Sequence, residues 1–324
     1  MSDNIRLAVI VVCYHSDSVI QSCVDALDDA VLAISSVDRP RVDLVLIANS
    51  AQDRAKEVNS RACNVISLDA GGNVGFSPAV NIGIQATDDA DFFLLLNPDT
   101  QLTPNCLDVL LSVAKSRDAA LVGPLLMDSA GQPHGLSERP FASVRSEFAT
   151  QLLAGEWIRA PYGKHAYNVG DARCLTGACL LVEGDFLRAV GGLDTEVRMY
   201  LEDLLLCWEA HQRGRRVVLA PAARCRHAVG GSAQGQNFSS SLGLHLTALG
   251  ARISFVRRTS GVYQAFLLRI LIGLGAAIRV VFAPRQQRKK HLAALRWVLA
   301  SGRPPLWHEG PVLDESTLPL GETT

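Results

Sequence analysis

Between Ala210 and His308 the sequence has no aspartate and no glutamate, yet this stretch carries 16 lysines and arginines. The formal net charge of −1 hides the division, because the rest of the chain holds 15 basic and all 32 acidic side chains. A mildly acidic body is thus joined to a strongly basic C-terminal section, which suits phosphate, nucleic acid or an anionic membrane. The 8 cysteines never form a CxxC pair. That argues against a zinc site and for reduced thiols in a cytosol. No GxxxxGK[ST] phosphate loop occurs. The first apolar run ends in Cys13-Tyr14-His15 rather than a GxGxxG fingerprint, which argues against a dehydrogenase. The N-terminus lacks a basic leader and a small-residue cleavage site, so no signal peptide is expected. The basic section is flanked by aliphatic more than aromatic residues and shows no recognised nucleic-acid motif, so nucleic acid is not an expected partner. No internal repeat is found.

What is present is a core. Hydrophobic residues make up 48% of the 324, enough for one large domain with an appendage or two modest domains. Leu7 to Cys13 is a β-branched apolar run that reads as a strand buried on both faces. Ser16 or Asp17 is placed to cap a helix over Val19 to Ala33. Val42 to Ala48 reads as a second strand, followed by a polar helix to about Ser60. Val65 to Leu68, Asp91 to Leu96 and Ala120 to Val122 read as further strands. Helices through Ala79 to Ala86 and from Pro104 to about Lys115 lie between them. Such alternation predicts a parallel sheet covered on both sides, with ligands beyond the strands' carboxyl ends. Tyr14, Asn49, Asn73 and Asn97 to Asp99 fall there. Residues 128 to 173 are rich in Gly, Pro and Ser, with a helix expected near Ser143 to Leu153. Arg173 to Glu183 and Val217 to Ala220 return to strand character. Between them, Leu201, Leu204, Leu205 and Trp208 recur at helical spacing.

Four groups of residues carry chemistry. Asn97-Pro98-Asp99 ends a buried strand, where a carboxylate can hold a divalent cation; the same residues also make ordinary turns. Glu202-Asp203 opens a helix, where a carboxylate can take a proton; acidic residues there also answer the helix dipole. Gly71 to Gly83, with Asn73, Gly75 and Asn81, can set amides against a nucleotide or simply turn the chain into a helix. His227 can complete a metal site as a neutral imidazole, or be a structural histidine.

The stretch Ala265 to Ala283 is apolar except for Arg269 and Arg279, and Arg285, Arg288, Lys289, Lys290 and His291 follow it. Two internal arginines argue against a spanning helix. A helix at an anionic membrane interface is expected, with a core helix or a homodimer interface as alternatives.

The ordered series VIVVCYH, NVGFSPAVNIG, LLLNPDT, VGPLL, LTGACLLV, GGLDTEVRMYLEDLLLCW and RHAVGGS resembles the family 2 inverting glycosyltransferases, bacterial rhamnosyltransferase-like members above all. The resemblance covers roughly Leu7 to Ser232. It implies an α/β chain of the GT-A fold, a Rossmann-like mostly parallel sheet flanked by helices, over residues 1–237. A basic, apolar helical extension follows at 238–310 and a tail at 311–324. It implies that Asp99 binds Mg2+ or Mn2+, with Asn97 in place of the motif's first acid and His227 as a further ligand. Asp203 resembles the general base, with Glu202 orienting the acceptor or sharing the role. Tyr14, Asn49, Asn73, Gly75 and Asn81 resemble nucleotide-pocket positions, and Gly177 a position that closes the pocket. One departure stands out. Ala48 occupies the place of an Asp that helps hold the nucleotide base. The implied partners are a nucleotide diphosphate sugar such as dTDP-L-rhamnose, a glycan or glycolipid acceptor, and the inner face of the cell membrane. A transferase for a soluble natural product and a non-catalytic nucleotide-sugar binder are the rival readings.

Overall fold

The computed structural model describes residues 5–51, 53–133, 137–152, 169–195, 201–227 and 238–300. Met199-Tyr200, Gly230-Gly231-Ser232 and the tail after Ala300 lie outside the described residues. The chain divides into two compact units. The first comprises Met1–Phe141, Tyr162–Arg198 and Glu202–Gln234; the second comprises Ala142–Pro161, Met199–Leu201 and Gly235–Thr324.

The first unit runs β1 (Arg6–Cys13), α1 (Ile20–Leu32), β2 (Arg41–Ala48), β3 (Asn64–Asp69), α2 (Phe76–Ala86), β4 (Phe92–Leu96), β5 (Thr100–Leu102), α3 (Cys106–Arg117), β6 (Ala119–Met127) and β7 (Glu138–Arg139). After α4 (Val144–Leu152) of the second unit come β8 (Gly170–Asp171), β9 (Cys174–Leu175), β10 (Cys179–Glu183), α5 (Gly184–Ala189), α6 (Glu202–Gln212) and β11 (Arg216–His227). The main sheet has the order β3-β2-β1-β4-β10-β6-β11-β5, with β8 beside β11 and a small β7-β9 pair apart. β3, β2, β1 and β4 are parallel, and β10 inserts antiparallel between β4 and β6.

Alternation along β1 explains why two layers of helices cover the sheet. Val9, Val11 and Cys13 join the cluster that holds Cys23, Val24 and Leu27 of α1 and Leu107 and Leu110 of α3. Ile10 points the other way, against Gly83 of α2. Each fully buried aliphatic side chain contributes about 1.5–3 kcal/mol of transfer free energy.

Four expectations are corrected. Neither Ser16 nor Asp17 caps α1 with its side chain. The Asp17 carboxylate instead accepts from the Arg54 amide at 3.0 Å. The polar helix expected before Ser60 is only a 3-10 turn at Ala55–Glu57. Polar groups of this segment bond to distant parts of the chain instead, which competes with helix formation. Asp53 accepts from the His15 amide at 2.7 Å, and Gln21 and Asn59 bond reciprocally. The strand expected over Arg173 to Glu183 is two strands, broken at Thr176-Gly177-Ala178. The strand expected to stop at Ala220 continues to His227, because a register shift between Ala220 and Arg224 absorbs Pro221.

The second unit contains α4, α7 (Phe238–Ser260), α8 (Val262–Phe282) and α9 (Arg285–Ala300), with α8 packed against the other three. α8 and α9 approach closely at Gly273, where an added Cβ would lie 3.1 Å from Val298. Arg269 turns toward α9 and donates its Nε–H to the Val298 carbonyl at 2.9 Å.

Candidate active site

The carboxyl ends of β1 and β2 lie in register, Cys13 opposite Ala48. Asn49 follows directly, and its amide donates to the Cys13 carbonyl at 2.9 Å. The Asn49 side chain is buried and faces the glycine-rich loop: its Oδ1 accepts from the Val74 amide at 3.0 Å. Asn73 Oδ1 accepts from the Gly75 amide at 3.1 Å. Asn49 and Asn73 therefore shape the loop that precedes α2. Tyr14 lies edge-on against His15 at the neighbouring strand end.

Asn81, in α2, reaches a turn far along the chain. Its Nδ2 donates to the Leu193 carbonyl and its Oδ1 accepts from the Leu193 amide, both at 2.8 Å. Both ends of the carboxamide are engaged in clamping the Gly191-Gly192-Leu193 turn. Gly192 has φ of 83°, and a Cβ there would fall 2.6 Å from Asn81 Oδ1, so the clamp requires glycine.

At the end of β4, the Asn97 carbonyl accepts from the Thr100 amide and hydroxyl at 3.2 and 2.6 Å, which closes the Asn97-Pro98-Asp99 turn. β5 then pairs antiparallel with β11, Thr100 opposite His227. This pairing brings the Asp99 carboxylate and the His227 imidazole together, Oδ1 to Nε2 at 3.5 Å. The Asp99 side chain is 5% exposed. The separation exceeds a good hydrogen bond. Two ligands of one divalent cation, each about 2.1 Å from it, lie about 3.0–3.4 Å apart. The Asp99 carboxylate and the His227 imidazole stand just beyond that spacing, close enough to share such an ion after a small movement of either side chain. No third His, Cys, Asp or Glu joins them among the described residues. The remaining coordination would fall to water and phosphate oxygens, the usual habit of Mg2+.

Asp203, 6% exposed in the first turn of α6, accepts three hydrogen bonds. Gly177 donates its amide to Oδ2 at 2.9 Å, Leu204 donates its amide to Oδ1 at 2.8 Å, and Arg139 of β7 donates Nη2 to Oδ2. A carboxylate has about four acceptor sites, so one stays open. Burial works against the charge on Arg139. The carboxylates of Asp203 and Glu202 outweigh it and keep its pKa above the usual guanidinium value. Arg139 Nε is buried without a partner. Arg139 was invisible to sequence reasoning: 64 residues separate it from Asp203, and only the β7-β9 pairing, Arg139 opposite Cys174, brings it to the site. Gly177 matters through closeness, since a Cβ there would sit 3.3 Å from that of Asp203.

One segment ties these groups together. Gly177 holds Asp203, and the next residue, Ala178, accepts from the Asn97 amide at 2.9 Å. The carboxylate–imidazole pair and the buried carboxylate are thus fixed to adjacent residues of one strand break at the sheet's carboxyl edge.

Solved structures give the fold class, the GT-A fold. The chain is similar to Staphylococcus aureus TarS 1-349 in complex with UDP-GlcNAc, with a TM-score of 0.55 at 10% identity over 91% of this chain and 80% of that one. It is similar to GalNAc-T7 solved with UDP, GalNAc and Mn2+, with a TM-score of 0.57 at 14% identity over 93% and 57%. Within that class, the model of the family described as glycosyltransferase like family 2 matches residues 5–246, and the chain belongs to that family. Among curated relatives, the N-acetylglucosaminyl-diphospho-decaprenol L-rhamnosyltransferase of Mycobacterium tuberculosis is 29% identical over 79% of this chain and 89% of its own length. The low-salt glycan biosynthesis hexosyltransferase Agl10 of Haloferax volcanii is 24% identical over 64% and 62%.

Proposed function

We propose that this glycosyltransferase moves a sugar, L-rhamnose from dTDP-L-rhamnose, to a hydroxyl of a lipid-linked glycan with inversion at the anomeric carbon. The observation that carries the reading is the Gly177-Ala178 break, which holds Asp203 on one side and the Asp99 turn on the other. The acceptor hydroxyl attacks the anomeric carbon while Asp203 takes its proton. The bond to the donor diphosphate breaks on the opposite face, and the diphosphate leaves with the electron pair. Arg139 positions Asp203 and presents its buried Nε–H. Glu202 orients the acceptor. Asp99 and His227 would hold Mg2+ or Mn2+, which supplies neutralising charge to the leaving diphosphate. Ala48 removes a carboxylate from base recognition, leaving Asn49 and backbone groups to that task. The rhamnose assignment and the lipid-linked acceptor are supported by the name of the mycobacterial relative.

The same reading places the enzyme on the cytoplasmic face of the membrane. α8 is long and apolar enough to cross a membrane by length and composition. Its arginines argue for lying on the surface instead. Arg269 turns to α9, while Phe266, Ile270, Leu274, Ile278 and Phe282 form an exposed stripe at four-residue spacing. Arg288, Lys289 and Lys290 follow on α9, suited to anionic headgroups.

A panel of nucleotide sugars offered with Mn2+ tests the chemistry. Wild type should release nucleotide diphosphate from one donor, and Asp99→Ala should abolish the release. Equal release by Asp99→Ala would sink the metal assignment. Failure of every donor to bind by calorimetry would sink the nucleotide-sugar reading.

A further inference from the structure

Strand order fixes which way a nucleotide lies across the first unit. Asp99 follows β4, and Asp203 is tied to Gly177, just before β10, the neighbour of β4 on one side. A nucleotide whose diphosphate sits at Asp99 must extend its nucleoside the other way, over the carboxyl ends of β1 and β2. These strands stand about 5 and 10 Å from β4. That edge offers few polar side chains. Ala48 ends β2, and Asn49 Oδ1 is committed to the Val74 amide at 3.0 Å. Tyr14, half-buried after β1, brings an aromatic ring instead. A ring of this kind holds a base by stacking on its π-face.

The corner that carries this ring is held from a distance. His15 has φ of 51°, in the left-handed region that an L-residue enters at a cost. Asp118 is the other non-glycine residue with positive φ among the described residues, and it simply ends α3. His15 ends no helix. Its amide donates to Asp53 Oδ1 at 2.7 Å, and the Arg54 amide returns a bond to Asp17 Oδ1 at 3.0 Å. These two bonds knit the loop after β1 to the loop after β2. Asp53 Oδ2 is buried with no hydrogen-bond partner among the described residues. A left-handed histidine and an unpaired carboxylate oxygen both cost stability, and they meet at one hydrogen bond beside Tyr14. The Tyr14 and His15 rings lie edge-on with centroids 4.4 Å apart, so the turn at His15 also sets the tyrosine ring.

We propose that Asp53 is a positioning residue for the donor: through the His15 amide it fixes the corner that sets the Tyr14 ring against the base of a nucleoside diphosphate. This deepens the donor reading above and rests on it. Asp53 itself touches no donor atom. It acts by holding a backbone conformation that the chain would otherwise leave, and with it the direction of the ring.

The test uses the full chain with Mg2+ and reads binding by calorimetry. Thymidine diphosphate and inorganic pyrophosphate are the probes, one with a base and one without. Asp53→Ala should weaken thymidine diphosphate binding tenfold or more and leave pyrophosphate binding within twofold. In turnover it should raise the donor KM by a similar factor, with kcat at saturating donor little changed. Asp53→Asn keeps an oxygen for the His15 amide and should recover most of the affinity, which guards against a variant that simply misfolds. Tyr14→Ala combined with Asp53→Ala should bind thymidine diphosphate no worse than Tyr14→Ala alone, because both changes remove the same contact. Equal weakening of both probes overturns the proposal, as does a lower melting temperature with thymidine diphosphate affinity intact. Additive losses in the double variant overturn it too, since Asp53 would then act without Tyr14. Wild type that fails to bind thymidine diphosphate sinks the donor reading and this proposal with it. Equal binding by wild type and Asp53→Ala sinks the proposal alone.

Discussion

Asp203 and Arg139 show how one side chain's role depends on a partner the sequence hides. A base needs an open lone pair and a fixed direction. Asp203 has both only because Gly177, Leu204 and Arg139 take its other acceptor sites. Asp203→Asn should therefore lower kcat by about 10²–10⁴-fold with little change in melting temperature. Full activity in that variant would remove Asp203 from the chemistry and pass the role to Glu202. Arg139→Met should lower kcat by about 10²-fold with donor KM nearly unchanged, and Arg139→Lys should recover part of the loss. A fall in melting temperature with no change in kcat would mean that Arg139 only supports the fold.

At the scale of elements, the segment from Asn49 to Cys63 is the sharpest departure from expectation. Its polar residues read as a helix face, yet several of them bond to residues far away in the chain. Asp28 of α1 is the clearest case. It is fully buried and accepts from Ser60 Oγ at 2.5 Å and from the Arg61 amide at 2.6 Å. Asp28→Ala leaves those donors unpaired and should cost about 2–4 kcal/mol in urea unfolding. Helices α4 and α7 to α9 make a pH-dependent contribution through His245. Its folded pKa is about 4 against an ordinary 6.5, so above 6.5 neither state is protonated and the contribution is complete. As pH falls from 6.5 to 4, the unfolded chain takes up a proton that the folded chain refuses, and stability drops. After solvent screening the loss is on the order of 1–2 kcal/mol. His245→Gln should flatten that part of the profile relative to wild type, read by chemical unfolding from pH 7 to 4.5.

For the whole molecule, the division of charge along the chain and the stripe on α8 lead to one expectation. The full chain should co-sediment with vesicles rich in phosphatidylglycerol, and 0.5 M salt should weaken but not abolish that binding. Leu274→Glu combined with Ile278→Glu should reduce it tenfold or more without loss of donor turnover. Binding that survives both changes would move the contact elsewhere, and a dimer that dissociates in the double variant would identify the stripe as a subunit interface.

Much of this was legible in the chain itself. Continuous apolar runs such as Leu7 to Cys13 can be satisfied only by burial on both faces, so the alternating sheet and the position of Asp99 beyond a strand end follow from local pattern. The apolar and basic character of the C-terminal helices is likewise local. Tertiary structure alone decided the rest. The antiparallel insertion of β10, the run of β11 past Pro221 and the pairing of β5 depend on strands far apart in sequence. They join Asp99 to His227; together with the β7-β9 pairing, which brings Arg139 to Asp203, they set both groups on Gly177 and Ala178. Local pattern constrains which face of an element is buried. Which distant element meets that face is settled by long-range hydrogen bonding and packing, and the site is built from those meetings.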